Sequence, residues 1–516
     1  MRGAVAAGHP LTAEAGARVL ADGGNAVDAC IAAAFVSWVA ESPLTGPGAG
    51  GFMLVHRAAD NSTRVLDHFV TVPGLGLRRY GGTEMEAVAI DFTPESSQVF
   101  RIGAASCAVP GAVAGLSDAH RQFGTLPWRV LLEPAIELAR TGVVLSRPQA
   151  YLHELLDLIL RHTDEGRTIY GRNGDPLLAG DRLVMADLAR TLEQLAEKGA
   201  ADFYRGELAR AVSRHVRDHG GEITLRDLAD YRVIRRRPVQ VPFLGHEFTS
   251  NPPPSTGGIL IGLGVRLIDR LGLAGSPGSA EAMAQLVEIM REQEIARGGP
   301  FTRQLYRGGL ARRLYDERLL LETARRLGGR LPAAERGTTH VAVVDGRGNA
   351  ASLTASTGAG SGVIVPGTGI HLNNMLGEFD LAATGGIPRP GVRFTSGMAP
   401  SLVLRDRRPR LVVGSAGSLR LRGAIFQVIV NVVGHGLGVE EAIERPRVHL
   451  DEPHVHCEGG NDRAELGRLR AMGYELVRWR RRNLFFGGVS AVEFRQDGTL
   501  AAAGDPRRGG HGVVVS

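Results

Sequence analysis

Residues 336–356 read Arg336-Gly337-Thr338-Thr339-His340-Val341-Ala342-Val343-Val344-Asp345-Gly346-Arg347-Gly348-Asn349-Ala350-Ala351-Ser352-Leu353-Thr354-Ala355-Ser356. Positions 339–345 have the composition of a strand, 346–349 of a hairpin turn, and 351–356 of the returning strand. Before Gly328 the chain is helical and arginine-rich, from 281 to 327. After it, strand-like and glycine-turn segments dominate to the C-terminus, apart from a helix predicted at 422–433. The change of period near 328–338 is an internal boundary, and the hairpin stands at its downstream side.

A glycine before a threonine at the leading edge of a strand suits self-processing. Glycine lets the bond that is to be cut adopt a backbone that a Cβ would forbid. The Thr338 hydroxyl can then attack the Gly337 carbonyl to give an ester that water opens. Cleavage frees an α-amine on the residue that carries the hydroxyl. With an ordinary pKa of about 7.7–8.0, that amine can act as general base to its own Oγ. Gly-Thr-Thr-His is nevertheless a common tetrapeptide, and on the motif alone a plain strand start outranks a nucleophile.

Outward from the hairpin, residues 11–40 carry a helical period of small residues. Gly23-Gly24-Asn25-Ala26-Val27-Asp28 supplies a break and a cap-like restart before an alanine-rich helix at 29–39. Gly46-Pro47-Gly48-Ala49-Gly50-Gly51 enters a strand at 52–55 and not a helix, so it reads as a structural loop and not a phosphate cradle. The segment 127–230 is strongly helical, with apolar residues at three- and four-residue steps in 183–198 and 201–219. Pro253-Pro254-Ser255-Thr256-Gly257-Gly258 is a rigid loop that opens a new element at Ile259.

Composition bounds the rest. The 516 residues exceed one ordinary core, and 43% hydrophobic with 22% charged is the balance of a soluble globular protein. The runs Arg235-Arg236-Arg237 and Arg480-Arg481-Arg482 read as solvated faces. Without aromatic interleaving or a reader motif, they do not predict nucleic-acid binding. Cys30, Cys107 and Cys457 are odd in number and lack metal-like spacing, which fits buried, reduced thiols in a cytosolic protein. Residues 1–10 lack a signal-peptide core, and no run of about 18 uncharged apolar residues follows, so a cytoplasmic protein without a membrane span is expected.

Several stretches form a series: Val5 to Leu11, Gly23 to Asp28, Gly50-Gly51-Phe52, Pro253 to Gly258, Thr338-Thr339-His340, Val343-Val344-Asp345 and Gly348-Asn349. Gly369 to Asn374, Met398-Ala399-Pro400, Gly414 to Ser418 and Asp505 to Gly509 complete it. In this order and spacing the chain resembles the γ-glutamyltransferase family nearly end to end. The resemblance implies an α+β fold, a four-layer αββα sandwich of the N-terminal nucleophile hydrolase type with two packed antiparallel sheets. It implies a large subunit, 1–337, with the outer helices and part of the sheets. A small subunit, 338–516, carries the nucleophile strand and the oxyanion loop. The two form a heterodimer from one precursor, and a dimer of heterodimers is allowed. No metal or organic cofactor is required.

Residue by residue, the resemblance makes Gly337–Thr338 the autocleavage bond and Thr338 the nucleophile. Ser356 matches a hydroxyl residue on the neighbouring strand that hydrogen-bonds the nucleophile, and Gly417 and Ser418 match the N–H pair of the oxyanion hole. The substrate-binding positions depart from the pattern. Glutathione-cleaving members hold the substrate α-carboxylate with an arginine that follows a Leu-Asp-aromatic strand; here Leu66-Asp67-His68 is followed by Phe69. Gly358 and Met375 replace an asparagine and a glutamine. Glu378 keeps an acidic contact and Ser396 one of two serines, with Gly397 in place of its neighbour. Asn373 and Asn374 are expected to brace the pocket, and the segment between Asp380 and Ser396 is short for the family's lid.

A phenylalanine cannot do the work of a bidentate arginine. The expected activity is therefore that of an amidase or acyltransferase working through an acyl-Thr338 intermediate on a small molecule other than ordinary glutathione. Two alternatives stand beside it. One is hydrolysis of a C–C bond next to a carbonyl, as in family branches adapted to 4-alkyl-proline antibiotic precursors. The other is an uncleaved, non-enzymatic relative, against which the complete self-cleavage apparatus argues. Arg393 and Arg101 are the expected substitutes should a carboxylate clamp persist.

Overall fold

A strand such as Val341-Ala342-Val343-Val344 sends apolar side chains to both faces and so demands cover on both. The computed structural model describes residues 2–93, 96–327, 339–378, 389–417 and 420–516, and it supplies that cover. Two antiparallel sheets are built from β1 (Gly3–Ala7), β2 (Gly50–Arg57), β3 (Ser62–His68), β4 (Ile234–Arg236), β5 (Val239–Phe243), β6 (His246–Ser250), β7 (Thr339–Asp345), β8 (Ala350–Ser356), β9 (Ser401–Arg405), β10 (Arg408–Ala416), β11 (Gly488–Phe494), β12 (Leu500–Gly504) and β13 (His511–Val515). The first sheet has the order β4-β3-β2-β8-β7-β1-β13 and the second β5-β6-β9-β10-β11-β12. The predicted hairpin is β7–β8, in register from Thr339 opposite Ala355 to Val344 opposite Ala350.

Alternation along β7 sorts the layers. Ala342 and Val344 lie between the sheets with Phe52, Leu54, Leu402, Val412 and Val492. Val341 and Val343 point the other way, to α1 (Pro10–Ala21), α2 (Ala26–Ala40) and α3 (Ala112–Phe123). On the far side, α4 (Gly257–Leu271) and α5 (Arg420–Ile429) cover Phe243, Phe248, Val403 and Val413 of the second sheet. This is the expected αββα order.

The local signals act through identifiable bonds. Asn25 Oδ1 accepts the N–H groups of Val27 at 2.8 Å and Asp28 at 3.0 Å, and the Asp28 carboxylate accepts the Asn25 N–H at 3.1 Å. This capping box starts α2 at Ala26, three residues ahead of the expected 29. The second helix predicted in the middle segment is broken. Asp202 accepts the N–H groups of Glu207 at 3.2 Å and Leu208 at 3.3 Å, capping a new helix and ending the old one at Gly206. The last third is less strand-like than its composition suggests, with helices at Val439–Glu444 and Arg463–Ala471. The helix expected at 422–433 is α5, continued by a π-type turn over Val430–Gly434.

The first arginine run is not simply a solvated face: Arg236 reaches the fully buried Asp67 at 2.7 Å and Arg235 reaches Asp118 at 3.2 Å. Arg480, Arg481 and Arg482 are exposed. All three cysteines are buried and unpaired, and among the described residues no helix is long and apolar enough to cross a membrane.

Asp345 locks the hairpin turn. Its Oδ1 accepts from the backbone of Arg347 at 2.9 Å and Asn349 at 3.0 Å; its Oδ2 accepts from Asn349 Nδ2 at 2.8 Å and from the Ala26 N–H of α2 at 3.1 Å. Asp345→Ala leaves four donors without their carboxylate, so a loss of about 3 kcal/mol is expected. It should be read as a lowered urea midpoint with an unchanged m value.

Candidate active site

Gly337, Thr338 and Ser418 lie outside the described residues, so the site is traced from their neighbours in the chain. Residue 338 is bonded to Thr339, the first residue of β7. The Thr339 hydroxyl donates to Glu41 Oε2 at 2.6 Å, and Glu41 Oε1 accepts from Thr12 Oγ1 at 2.8 Å. Glu41 follows directly on α2. Burial pushes its carboxyl above the ordinary range, against the pull of the two hydroxyls and of the Arg508 charge. The start of the strand is thus fastened to a buried carboxylate.

Ser356 is the next residue of β8 after Ala355, the partner of Thr339. By alternation it faces the second sheet, as Thr354 does. Its Oγ accepts the Gly358 N–H at 2.8 Å. Gly358 has φ +75°; a Cβ there would overlap Asn374 Oδ1 and come within 3.1 Å of Glu378 Oε1. Asn374 Oδ1 accepts the Ala359 N–H at 3.0 Å, and its Nδ2 donates to the Arg101 carbonyl at 3.2 Å. Asn373 is saturated: Oδ1 accepts from Ala108 and Met375, and Nδ2 donates to Gly48 and Ala108. Ser356, Gly358, Asn374 and Glu378 therefore gather at one end of the hairpin, braced by Asn373.

Across the inter-sheet layer, β10 ends at Ala416 and the chain turns at Gly417, with φ +123°. A Cβ there would stand 2.6 Å from Gly487 Cα, so only glycine fits. Gly417 accepts the Arg420 N–H at 3.1 Å as α5 begins, which sets this turn at the positive end of a helix. His340 ties the two sheets together beside it. Its ring lies against Gly414 of β10, and its Nδ1 meets Thr354 Oγ1 at 2.8 Å. Burial brings the His340 pKa down to about 3, so the ring is a neutral bridge at working pH.

The remaining predicted positions go elsewhere. Phe69 is fully buried between the sheets, its ring stacked on Phe52 with centroids 5.6 Å apart, and Met375 is buried in the same layer. His68 points to the opposite face, against Gly115 of α3, where burial brings its pKa down to about 3. Ser396 is buried against the Pro-Pro-Ser-Thr loop: its carbonyl accepts from the Thr256 N–H at 2.7 Å and Ser255 Oγ at 3.0 Å. Arg393 Nε pairs with Asp67 at 3.2 Å, and its other nitrogens donate to the Tyr231 hydroxyl and to the carbonyls of Phe69, Asp67 and Arg232. It is fully engaged in holding Phe69 and is not available as a clamp.

The family described as gamma-glutamyltranspeptidase matches residues 12–515. The chain belongs to that family. It is 33% identical to acylase ACY 1 proenzyme of Pseudomonas sp. (strain SE83), covering 100% of this chain and 94% of the relative. It is 30% identical to glutathione hydrolase proenzyme of Escherichia coli (strain K12), over 98% and 90%. In fold it matches the crystal structure of cephalosporin acylase from Bacillus halodurans with a TM-score of 0.85, 24% identity, and 99% and 95% coverage.

In this member of the gamma-glutamyltranspeptidase family, the Asp505-Pro506-Arg507 stretch has a structural role. Arg507 pairs with Glu458 at 2.5 Å and Asp505 at 3.1 Å, while Asp505 pairs with Arg447 at 2.6 Å, all of them buried. Sequence reasoning missed Glu41. A carboxylate directly after an alanine-rich helix whose only other charge is Asp28 in its first turn was the available signal.

Gly417→Ala should cost about 1–3 kcal/mol in stability through backbone strain and contact with Gly487. On any substrate the wild type turns over, it should lower kcat by about 10²-fold with little change in KM. Steady-state kinetics on folded protein checks this.

Proposed function

We propose that this chain is an N-terminal-threonine hydrolase that matures by cutting Gly337–Thr338 and then acts through an acyl-Thr338 intermediate. The large piece is 1–337 and the small piece 338–516. The observation that carries the reading is that β7 begins one residue after 338, with Thr339 held by the buried Glu41, Ser356 next to the partner of Thr339 on β8, and His340 against Gly414, three residues before the Gly417 turn. The acylase and glutathione hydrolase relatives are both named proenzymes, which supports maturation by cleavage.

In this mechanism the Thr338 amine takes the Oγ proton as Oγ attacks the substrate carbonyl. The oxyanion accepts from the N–H groups of Gly417 and Ser418. Collapse expels the leaving amine, which takes the proton back, and water then opens the ester by the same steps. Hydrolysis of a C–C bond next to a keto group would use the same groups and differ only in what leaves. Phe69 and Met375 in the inter-sheet core, with Arg393 engaged, support a substrate other than ordinary glutathione. The buried, unpaired thiols of Cys30, Cys107 and Cys457 support a cytoplasmic setting.

Purified protein should run as two pieces of 337 and 179 residues, together the 516 of the chain, with Thr338 at the start of the smaller. Thr338→Ala should give one intact, folded, inactive band; a cut at the same bond in that variant would sink the mechanism. Turnover of a γ-glutamyl anilide should be weak, and fast saturable turnover at micromolar substrate would show that γ-glutamyl recognition survives.

A further inference from the structure

Strand β7 is held unequally along its length. Towards β1 its ladder ends at Val341, paired with Ala7, because the chain bends at Gly8 and His9 into α1. Towards β8 it runs on to Thr339, opposite Ala355. Thr339 and His340 therefore have a strand neighbour on one edge only, and residue 338 continues from that half-held end. Strand ends secured on one edge fray readily.

A side chain replaces the missing edge. The Thr339 hydroxyl donates to Glu41 Oε2 at 2.6 Å, and Thr12 Oγ1 donates to Glu41 Oε1 at 2.8 Å. All three residues are buried, and the Arg508 charge faces the same carboxylate. The carboxylate reaches Thr339 through space that Gly8 leaves free. A Cβ at Gly8 would overlap Glu41 Oε2 and come within 3.3 Å of Thr339 Oγ1. The Gly8 backbone is not left-handed, so this space is what calls for glycine. The bend that ends the β1 ladder thus also admits the group that takes its place.

Self-cleavage makes a strict demand on this end of the strand. Thr338 Oγ must bond to the Gly337 carbonyl carbon while the Gly337–Thr338 C–N bond breaks and the Oγ proton passes to the departing nitrogen. Water then opens the ester, leaving a carboxylic acid on Gly337 and the hydroxyl on Thr338. Attack depends on the torsions around Thr338, and a misplacement of about 1 Å can cost about 10²-fold in rate. Thr339 faces the helices, so alternation turns residue 338 towards the second sheet, the side of Ser356.

We propose that Thr339, Glu41 and Gly8 are positioning residues for self-cleavage: the Thr339–Glu41 bond fixes the strand end from which Thr338 attacks. This role rests on the proposed function and deepens it, naming what aligns the scissile bond.

The test is a pulse-labelled cell-free synthesis of the full chain, with the half-time for release of the small piece, 338–516, read on gels. Thr339→Val keeps the branched shape and loses the hydroxyl. It should lengthen the half-time about tenfold or more, as expected when one charge-assisted bond is lost from the aligned state. Thr339→Ser keeps the donor and should cut at near the wild-type rate. Gly8→Ala, which displaces the carboxylate, should slow the cut to a similar degree as Thr339→Val. The double variant should be no slower than the slower single one, because both changes break the same bond. Should Thr339→Val fail to fold, Gly8→Ala and Glu41→Gln carry the same measurement. A bond that only stabilises the fold would lower the urea midpoint of Thr339→Val and leave its half-time at the wild-type value. That result overturns the positioning role and leaves the proposed function standing, whereas a wild type that never cuts ends both.

Discussion

Helix α2 and strand β7 run antiparallel and are fastened to each other at both ends by buried carboxylates. At one end Asp345 accepts the first N–H of the helix; at the other, Glu41, just past the helix, accepts the Thr339 hydroxyl. Fifteen residues of helix at about 1.5 Å and seven of strand at about 3.3 Å both span roughly 22 Å, so the two clamps close without strain. β7 has strands on both edges, helices over one face and a second sheet over the other. A slip of one residue would turn His340 towards the helices and Val341 towards the second sheet, and would break both clamps. The positions of Ser356 and of the turn across from it follow from that single register.

Arginine shows how the interior and the site compete for the same chemistry. Arg393, Arg447 and Arg507 are buried and paired, and Arg236 reaches inward to Asp67. Each holds loops and strands that come from distant parts of the chain. Phe69, pinned by Tyr231 and Arg393 at its carbonyl, belongs to that architecture. Phe69 and Met375, where the resemblance leads one to expect a departure from the glutathione-cleaving pattern, are thus integrated into the packing between the sheets. Restoring an arginine at 69 would place a charge between two sheets with no partner waiting.

The parts legible in the sequence are those whose cause is local. The hairpin, the Asn25 cap and the loop at 253–258 each carry turn or cap chemistry within a few residues. The break at Gly206 was hidden because the apolar period runs on through it, and only the Asp202 side chain interrupts the helix. The helices at Val439–Glu444 and Arg463–Ala471 are short and lie among turns, where composition outweighs period. Around the site, the resemblance pointed to Asn373, Asn374 and Gly358, and the structure supplies the hydrogen bonds these positions make. The burial of Phe69 depends on Phe52, its neighbour across two strands, and on Arg393, more than three hundred residues away.

The sheet order β2-β8-β7-β1-β13 alternates between segments on either side of residue 338. The first five-residue strand of the chain lies between two strands that follow residue 338, while the central hairpin is flanked by strands from the first sixty residues. A cut at the boundary would sever one covalent link and leave every ladder intact. Separating the halves would then mean unzipping a sheet whose faces are both covered, which amounts to global unfolding. Each molecule would keep for life the partner it was translated with. Mixing halves from two variants after maturation would yield no hybrids, and a defect in either half could not be complemented by a healthy copy of that half.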